Sequence, residues 1–274
     1  MLVVKYNYKA PPGPVLLHIR MWSKVFVNQL IFLDWSETEI AEFTTKNLRD
    51  SRKIAVAYKQ ESKPPGFYAY DVVSLAMKSH PHYEGYLFAH DDMAMNITAL
   101  IDFDLSSSWQ TEWESQCKDL DPFWNVTKNG WWWDGESGTR AIDKMLANSS
   151  NTVIANEMKV ALGSNHYWCG DQSDFFYITQ KFRELYIRVM DPFADAGIFL
   201  EIAVPTFFRA YIPPDESIKV PLCTTFLDAI RLNNTLYEFM ETQCGDKYPL
   251  FHPIKLSSKP NVDRMRKKMA LIGY

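Results

Sequence analysis

Four short apolar runs within the first ninety residues constrain this chain more than any other feature. Val15-Leu16-Leu17-His18-Ile19, Gln29-Leu30-Ile31-Phe32-Leu33, Lys53-Ile54-Ala55-Val56-Ala57-Tyr58 and Gly85-Tyr86-Leu87-Phe88-Ala89 have the length and continuous apolarity of strands buried on both faces. Between them, Glu37–Leu48 and Phe67–Ser79 repeat apolar residues at helical spacing, and Met21–Val27 reads as helix or loop. Strand–helix alternation predicts an α/β chain with a mostly parallel central sheet flanked by helices. Such sheets take ligands at the carboxyl ends of their strands. That rule singles out Asp34 and the pair Asp91-Asp92, each directly after an apolar run.

Beyond about residue 105 the character changes. Six of the nine tryptophans fall between Trp109 and Trp133, ending in Trp131-Trp132-Trp133-Asp134-Gly135. Thr152–Leu162 reads as another strand or strand pair, Asp174–Thr179 as a further strand, and Gln180–Phe208 as largely helical. Thr224–Glu241 also has helical spacing. No repeat, low-complexity stretch or linker divides the 274 residues, so one composite domain is expected. It would have one half over about residues 1–105 and another over about 106–274.

Charge narrows the partners. Lys and Arg total 29 against 33 Asp and Glu, a net charge of −4, which lacks the basic stripe of a nucleic-acid binder. The one dense basic run, Arg264-Met265-Arg266-Lys267-Lys268, reads as a solvated helix end. No apolar run has the length of a membrane span, and Met1–Pro14 lacks the apolar core of a signal peptide, so the expectation is a soluble, cytoplasmic chain. The four cysteines are far apart and form no CxxC pair, which predicts free thiols in a reducing compartment and no zinc site. Sequons at Asn96, Asn125, Asn148 and Asn233 do not by themselves assign the secretory pathway.

The chemistry concentrates in Gly85-Tyr86-Leu87-Phe88-Ala89-His90-Asp91-Asp92, where a buried strand delivers two adjacent carboxylates into a loop. Burial and mutual repulsion both disfavour that pair of charges, so a compensating cation is implied. Hard oxygen ligands suit Mg²⁺ or Mn²⁺, which bridge to substrate phosphates. The same pair could also cap a helix and face solvent. A second element, Tyr248-Pro249-Leu250-Phe251-His252-Pro253-Ile254-Lys255, offers an imidazole at His252 and a cation at Lys255. No GxGxxG or GxxxxGK[ST] motif is present, so dinucleotide-binding and P-loop readings lack support.

Taken in this order, strand–His90-Asp91-Asp92, an aromatic region, a Glu-bearing helix and His252-Pro253-Ile254-Lys255 resemble the nucleotide-sugar glycosyltransferases of the GT-A (Rossmann-like) fold. The family's Asp-x-Asp motif corresponds here to His90-Asp91-Asp92, whose first position departs from the usual Asp. The resemblance implies Asp92 and His252 as metal ligands, with Asp91 serving either the metal or the donor ribose, and Lys255 facing the diphosphate. It also implies a first half that binds the donor and a second that binds the acceptor. His18, Arg20, Asp34 and Asp71 are donor candidates at or near the first strands.

Inversion requires a general base for the acceptor hydroxyl. Glu201, within Gly197-Ile198-Phe199-Leu200-Glu201, and Asp174 stand level for that role, with Asp171 behind them. Trp131, Trp132 and Trp133 are candidates to stack on an acceptor sugar. More narrowly, the chain resembles the small glycosyltransferases that chloroviruses encode to build capsid N-glycans, which implies xylose as the transferred sugar and a protein-linked N-glycan as acceptor. Two other classes compete: a metal-dependent phosphohydrolase or nucleotidyltransferase using Asp91-Asp92, and a non-catalytic carbohydrate-binding protein using its tryptophans.

Overall fold

The computed structural model describes residues 1–6, 10–23, 25–48, 54–58, 69–100, 102–112, 116–119, 136–164, 167–224, 242, 244, 248–254 and 263. Trp131, Trp132, Trp133 and Lys255 lie outside these residues, as does the helix expected over Thr224–Glu241 beyond its first residue.

In chain order the elements are β1 (Leu2–Lys5), α1 (Pro12–Trp22), β2 (Gln29–Leu33), α2 (Glu37–Asn47), β3 (Ile54–Tyr58), α3 (Asp71–Ser79), β4 (Gly85–His90), β5 (Ala94–Met95) and α4 (Ile97–Leu100). After them come β6 (Ser108–Glu112), β7 (Gln116–Asp119), α5 (Glu136–Ala147), α6 (Thr152–Leu162), β8 (Tyr167–Gly170), β9 (Phe175–Thr179), α7 (Arg183–Ala196), α8 (Leu200–Tyr211), β10 (Ser217–Thr224) and β11 (Leu250–His252). The chain divides into two compact units that interleave along the sequence: residues 1–65, 87–104 and 220–274 form one, residues 66–86 and 105–219 the other.

The first unit is α/β. Its strands run β3-β2-β1-β4, all parallel, with Leu2 opposite Gln29 and Leu87, and Lys5 opposite Phe32 and His90. Every residue of β1, β2 and β4 is buried, the continuous apolar burial of strands covered on both faces. In the same unit β11 lies parallel to β10 and antiparallel to β5. Helix α2 begins at a capping box: the Glu39 N–H donates to Ser36 Oγ at 3.3 Å, and the Ser36 N–H donates to Glu39 Oε2 at 2.7 Å. The α/β class, the mostly parallel strands and the flanking helices expected from the sequence are observed.

The second unit combines α3, α5, α6, α7 and α8 with two antiparallel pairs, β6–β9 and β7–β8. Helix α7 stops at Gly197, whose φ of +84° is open to glycine; its N–H and that of Ile198 cap the last carbonyls of the helix. Gly85 is required for a different reason. A β-carbon there would run into the ring and hydroxyl of Tyr177.

Three expectations are corrected. Val15–Ile19 is the middle of helix α1 rather than a strand: Pro12 occupies its first turn, where a missing N–H costs nothing, and Val15, His18, Ile19 and Trp22 bury one face at helical spacing. Thr152–Leu162 is helix α6, burying Ile154 and Met158 four residues apart and ending at Gly163 with φ +82°. The cysteines are not free: Cys117 is bonded to Cys169 and Cys223 to Cys244. The inference of a reducing compartment loses its ground with them.

Candidate functional site

The carboxyl ends of β1 and β4 assemble a buried polar cluster in the first unit. The Asp91 N–H donates to the Lys5 carbonyl at 3.2 Å, one step beyond the last paired residues of the strands. The Met93 N–H then donates back to the His90 carbonyl at 3.1 Å, closing a turn around Asp91-Asp92. Strand β5 leaves that turn and pairs with β11, with Ala94 opposite Phe251 and Met95 opposite Leu250. Two further backbone bonds lock β11 to the turn: Asn96 N–H to Pro249 carbonyl at 2.7 Å, and Ile254 N–H to Asp92 carbonyl at 2.6 Å. His252 is thereby held with Nε2 3.5 Å from Asp92 Oδ1.

His90, Asp91, Asp92 and His252 are all buried, none more than 7% exposed. His90, Asp91 and Asp92 each offer a ligand atom, and these atoms lie within 4.8 Å of one another. Two carboxylates with imidazole nitrogens beside them form a mixed oxygen and nitrogen donor set that can hold a divalent cation such as Mn²⁺. The donor set therefore fits the cation that the sequence implied. Lys5, 1% exposed, stands in register with His90 at the same strand ends. Sequence reasoning passed over Lys5 because β1 begins at the second residue, leaving no flanking pattern; Leu2-Val3-Val4 was the available signal.

Helix α1 supplies His18 rather than a strand end. Its Nδ1 shares a hydrogen bond with the Tyr6 hydroxyl at 2.6 Å, and its ring stacks on Trp22 at 4.4 Å between centroids. Burial drives its pKa from the ordinary 6.5 down to about 3, against an opposing pull from the Asp92 charge. His18 is accordingly a neutral imidazole near the acidic turn. Arg20 is exposed on α1, and Asp34 is exposed directly after β2, at the same carboxyl edge as Asp91. Asp71 opens α3 and belongs to the second unit.

The second unit holds all three base candidates, and two of them, Glu201 and Asp171, meet at the start of α8. Thr206 ties α8 to β8: its hydroxyl accepts from the Cys169 N–H at 2.9 Å and donates to the Cys169 carbonyl at 3.3 Å. Past β8, the Asp171 N–H donates to the Glu201 carbonyl at 3.0 Å. Glu201 is half-buried in the first turn of α8, where the helix dipole favours a carboxylate. Asp174 is half-buried just before β9. Asp171 is buried, with Oδ2 4.0 Å from Lys219 Nζ. Burial holds the Lys219 pKa below its usual value, and the charges of Asp171 and then Glu112 work against that shift.

The chain is similar to a curated glycosyltransferase. It is 22% identical over 245 residues to "Probable glycosyltransferase STELLO1" of Arabidopsis thaliana, a match that takes in 87% of this chain and 29% of that protein. The chain thus spans less than a third of the length of that relative. Among solved structures it aligns with a glycosyltransferase involved in the glycosylation of the major capsid of PBCV-1. That alignment covers 97% of this chain and 98% of the other, at 9% identity and a TM-score of 0.41, too slight a likeness to argue from. No family model matches the chain.

Proposed function

We propose that this chain is a metal-dependent glycosyltransferase that moves a monosaccharide from a UDP-sugar to a glycan hydroxyl with inversion at the anomeric carbon. The observation that carries the reading is the buried His90-Asp91-Asp92 turn with His252 beside it, at the carboxyl end of a parallel strand. The similarity to a probable glycosyltransferase across most of the chain supports it.

In this reading Asp92, His252 and Asp91 hold a divalent cation. Bound there, Mn²⁺ or Mg²⁺ would supply positive charge that stabilises a diphosphate leaving group. His90 and Asp91 orient the donor, with His18, Arg20, Asp34 and Asp71 as further donor contacts and Lys255 as a second cation toward the leaving group. Glu201 or Asp174 accepts the proton of the acceptor hydroxyl as its oxygen bonds to the anomeric carbon and the bond to UDP breaks. Asp171, facing Lys219, is better suited to hydrogen-bond acceptor hydroxyls than to take a proton. One of Trp131, Trp132 and Trp133 stacks on the acceptor sugar. Xylose is the proposed sugar and a protein-linked N-glycan the proposed acceptor, both on the sequence resemblance alone.

The test is calorimetric titration with UDP, UDP-xylose and UDP-glucose, in Mn²⁺ and again in EDTA. UDP binding that requires Mn²⁺ is the expected result, with UDP-xylose preferred to UDP-glucose. Absence of UDP binding in both conditions would overturn the donor assignment. Glycan binding without UDP or metal would favour a carbohydrate-binding protein instead.

A further inference from the structure

We infer that Asn148 is an acceptor for N-linked glycosylation, so that the chain itself carries a glycan in an oxidising, secretory-type compartment. The inference is independent of the reaction proposed above. Two observations meet here. The first is redox chemistry: all four cysteines are consumed in two disulfides, a state that persists in oxidising compartments and is rare in the cytosol. Such compartments are also where sequons are read.

The second is the local geometry of Asn148-Ser149-Ser150. Asn148 is exposed on the connection between α5 and α6. Its Oδ1 accepts two hydrogen bonds from the sequon's third residue, from the Ser150 N–H at 3.1 Å and from the Ser150 hydroxyl at 2.8 Å. Nδ2 has no hydrogen-bond partner among the described residues. An amide nitrogen is a poor nucleophile until it loses a proton, and donors on Oδ1 stabilise the negative charge that then spreads onto oxygen. Because both bonds span only two residues, this arrangement does not depend on the finished fold.

A glycan at this position also has room. A cavity of about 510 Å³ opens beside Asn148, lined by Lys144, Asn151, Pro192 and Asp195, with polar groups suited to the first sugar. Asn96 differs. It is half-buried, and its backbone N–H is committed to the Pro249 carbonyl in the β5–β11 junction.

The transfer balances with one co-reactant, a polyprenyl-diphosphate-linked oligosaccharide. Asn148 Nδ2 bonds to C1 of the first sugar as the C1–O bond to the diphosphate breaks. The polyprenyl diphosphate leaves with the electron pair, and the Nδ2 proton passes to a base of the transferring enzyme.

The experiment is site-resolved mass spectrometry of the full chain purified from the cells that naturally make it, before and after peptide N-glycosidase digestion in heavy-oxygen water. The Asn148 peptide should carry a glycan in most copies and, after digestion, appear as aspartate bearing one heavy oxygen. Expressed in the same cells, Ser150→Ala should lose the modification and Ser150→Thr should keep it. Unmodified asparagine at 148 in the wild-type chain would overturn the proposal, as would retention of the glycan in Ser150→Ala. The wild-type measurement decides by itself if a variant fails to accumulate.

Discussion

Asp92 and His18 show how differently two buried polar residues can behave. Asp92 is buried among acids and imidazoles, an arrangement that calls for an added positive charge. Asp92→Ala should therefore abolish Mn²⁺-dependent UDP binding in the calorimeter while changing Tm little; undiminished binding would remove Asp92 from the metal set. Glu201→Gln and Asp174→Asn should separate the base from its neighbour: the true base loses at least about a hundredfold in kcat with UDP affinity kept. If both variants turn over normally, the base is another group.

His18 instead is buried neutral, and its linkage has the opposite consequence. Its pKa is about 3 when folded and 6.5 when exposed, so between those values the unfolded chain binds a proton that the native chain refuses. The stabilisation is complete above pH 6.5 and is lost as pH falls toward about 3, at up to about 1.4 kcal/mol per pH unit from this group. Urea unfolding from pH 7 to 4 should show this slope, and His18→Gln should flatten it. An equal slope in the variant would assign the acid sensitivity elsewhere.

At the scale of elements, the sequence was most readable where strands and acids coincide. The run Gly85–Ala89 ending in His90-Asp91-Asp92 forms β4 and its turn, and Glu37–Leu48 and Lys53–Tyr58 match α2 and β3 closely. Apolar runs flanked by breakers were the failures. Val15–Ile19 has the composition of a strand, yet Pro12 starts a helix; within the run only His18 is polar, and it is buried, so no polar stripe marks the helix there. Thr152-Val153-Ile154 is β-branched, and its propensity was overridden by the packing of Ile154 and Met158.

The site was legible to the same extent. His252 stood near the acids on resemblance; the β5–β11 pairing that brings it to Asp92 has no sequence signature. Gly85 is the point where an element tolerates least. Because a β-carbon at Gly85 would run into the Tyr177 ring, Gly85→Ala should cost about 1–3 kcal/mol, read as a lower Tm. Tyr177→Val in the same chain should recover part of it. A Gly85→Ala protein as stable as wild type would show that the two residues can part freely.

For the whole molecule, the disulfides decide how the two units withstand unfolding. Each bridge lies inside one unit: Cys117–Cys169 joins β7 to β8 in the second, and Cys223–Cys244 lies in the first. The links close loops of 52 and 21 residues. Loop-closure entropy in the unfolded chain then makes them worth about 4 and about 3 kcal/mol respectively. Cys244 is also packed with Leu17, Ala94, Phe251 and Ile254, so the second bridge reinforces the strand that carries His252. Cys223→Ala with Cys244→Ala should therefore lower both Tm and Mn²⁺-dependent UDP affinity. Cys117→Ala with Cys169→Ala should lower Tm by at least as much while sparing UDP binding. Matched scans of the two double variants, each followed by a UDP titration, read both effects. Equal loss of UDP affinity in the two would mean that the bridges act through overall stability, and that β11 is held at the acidic turn by its backbone bonds alone.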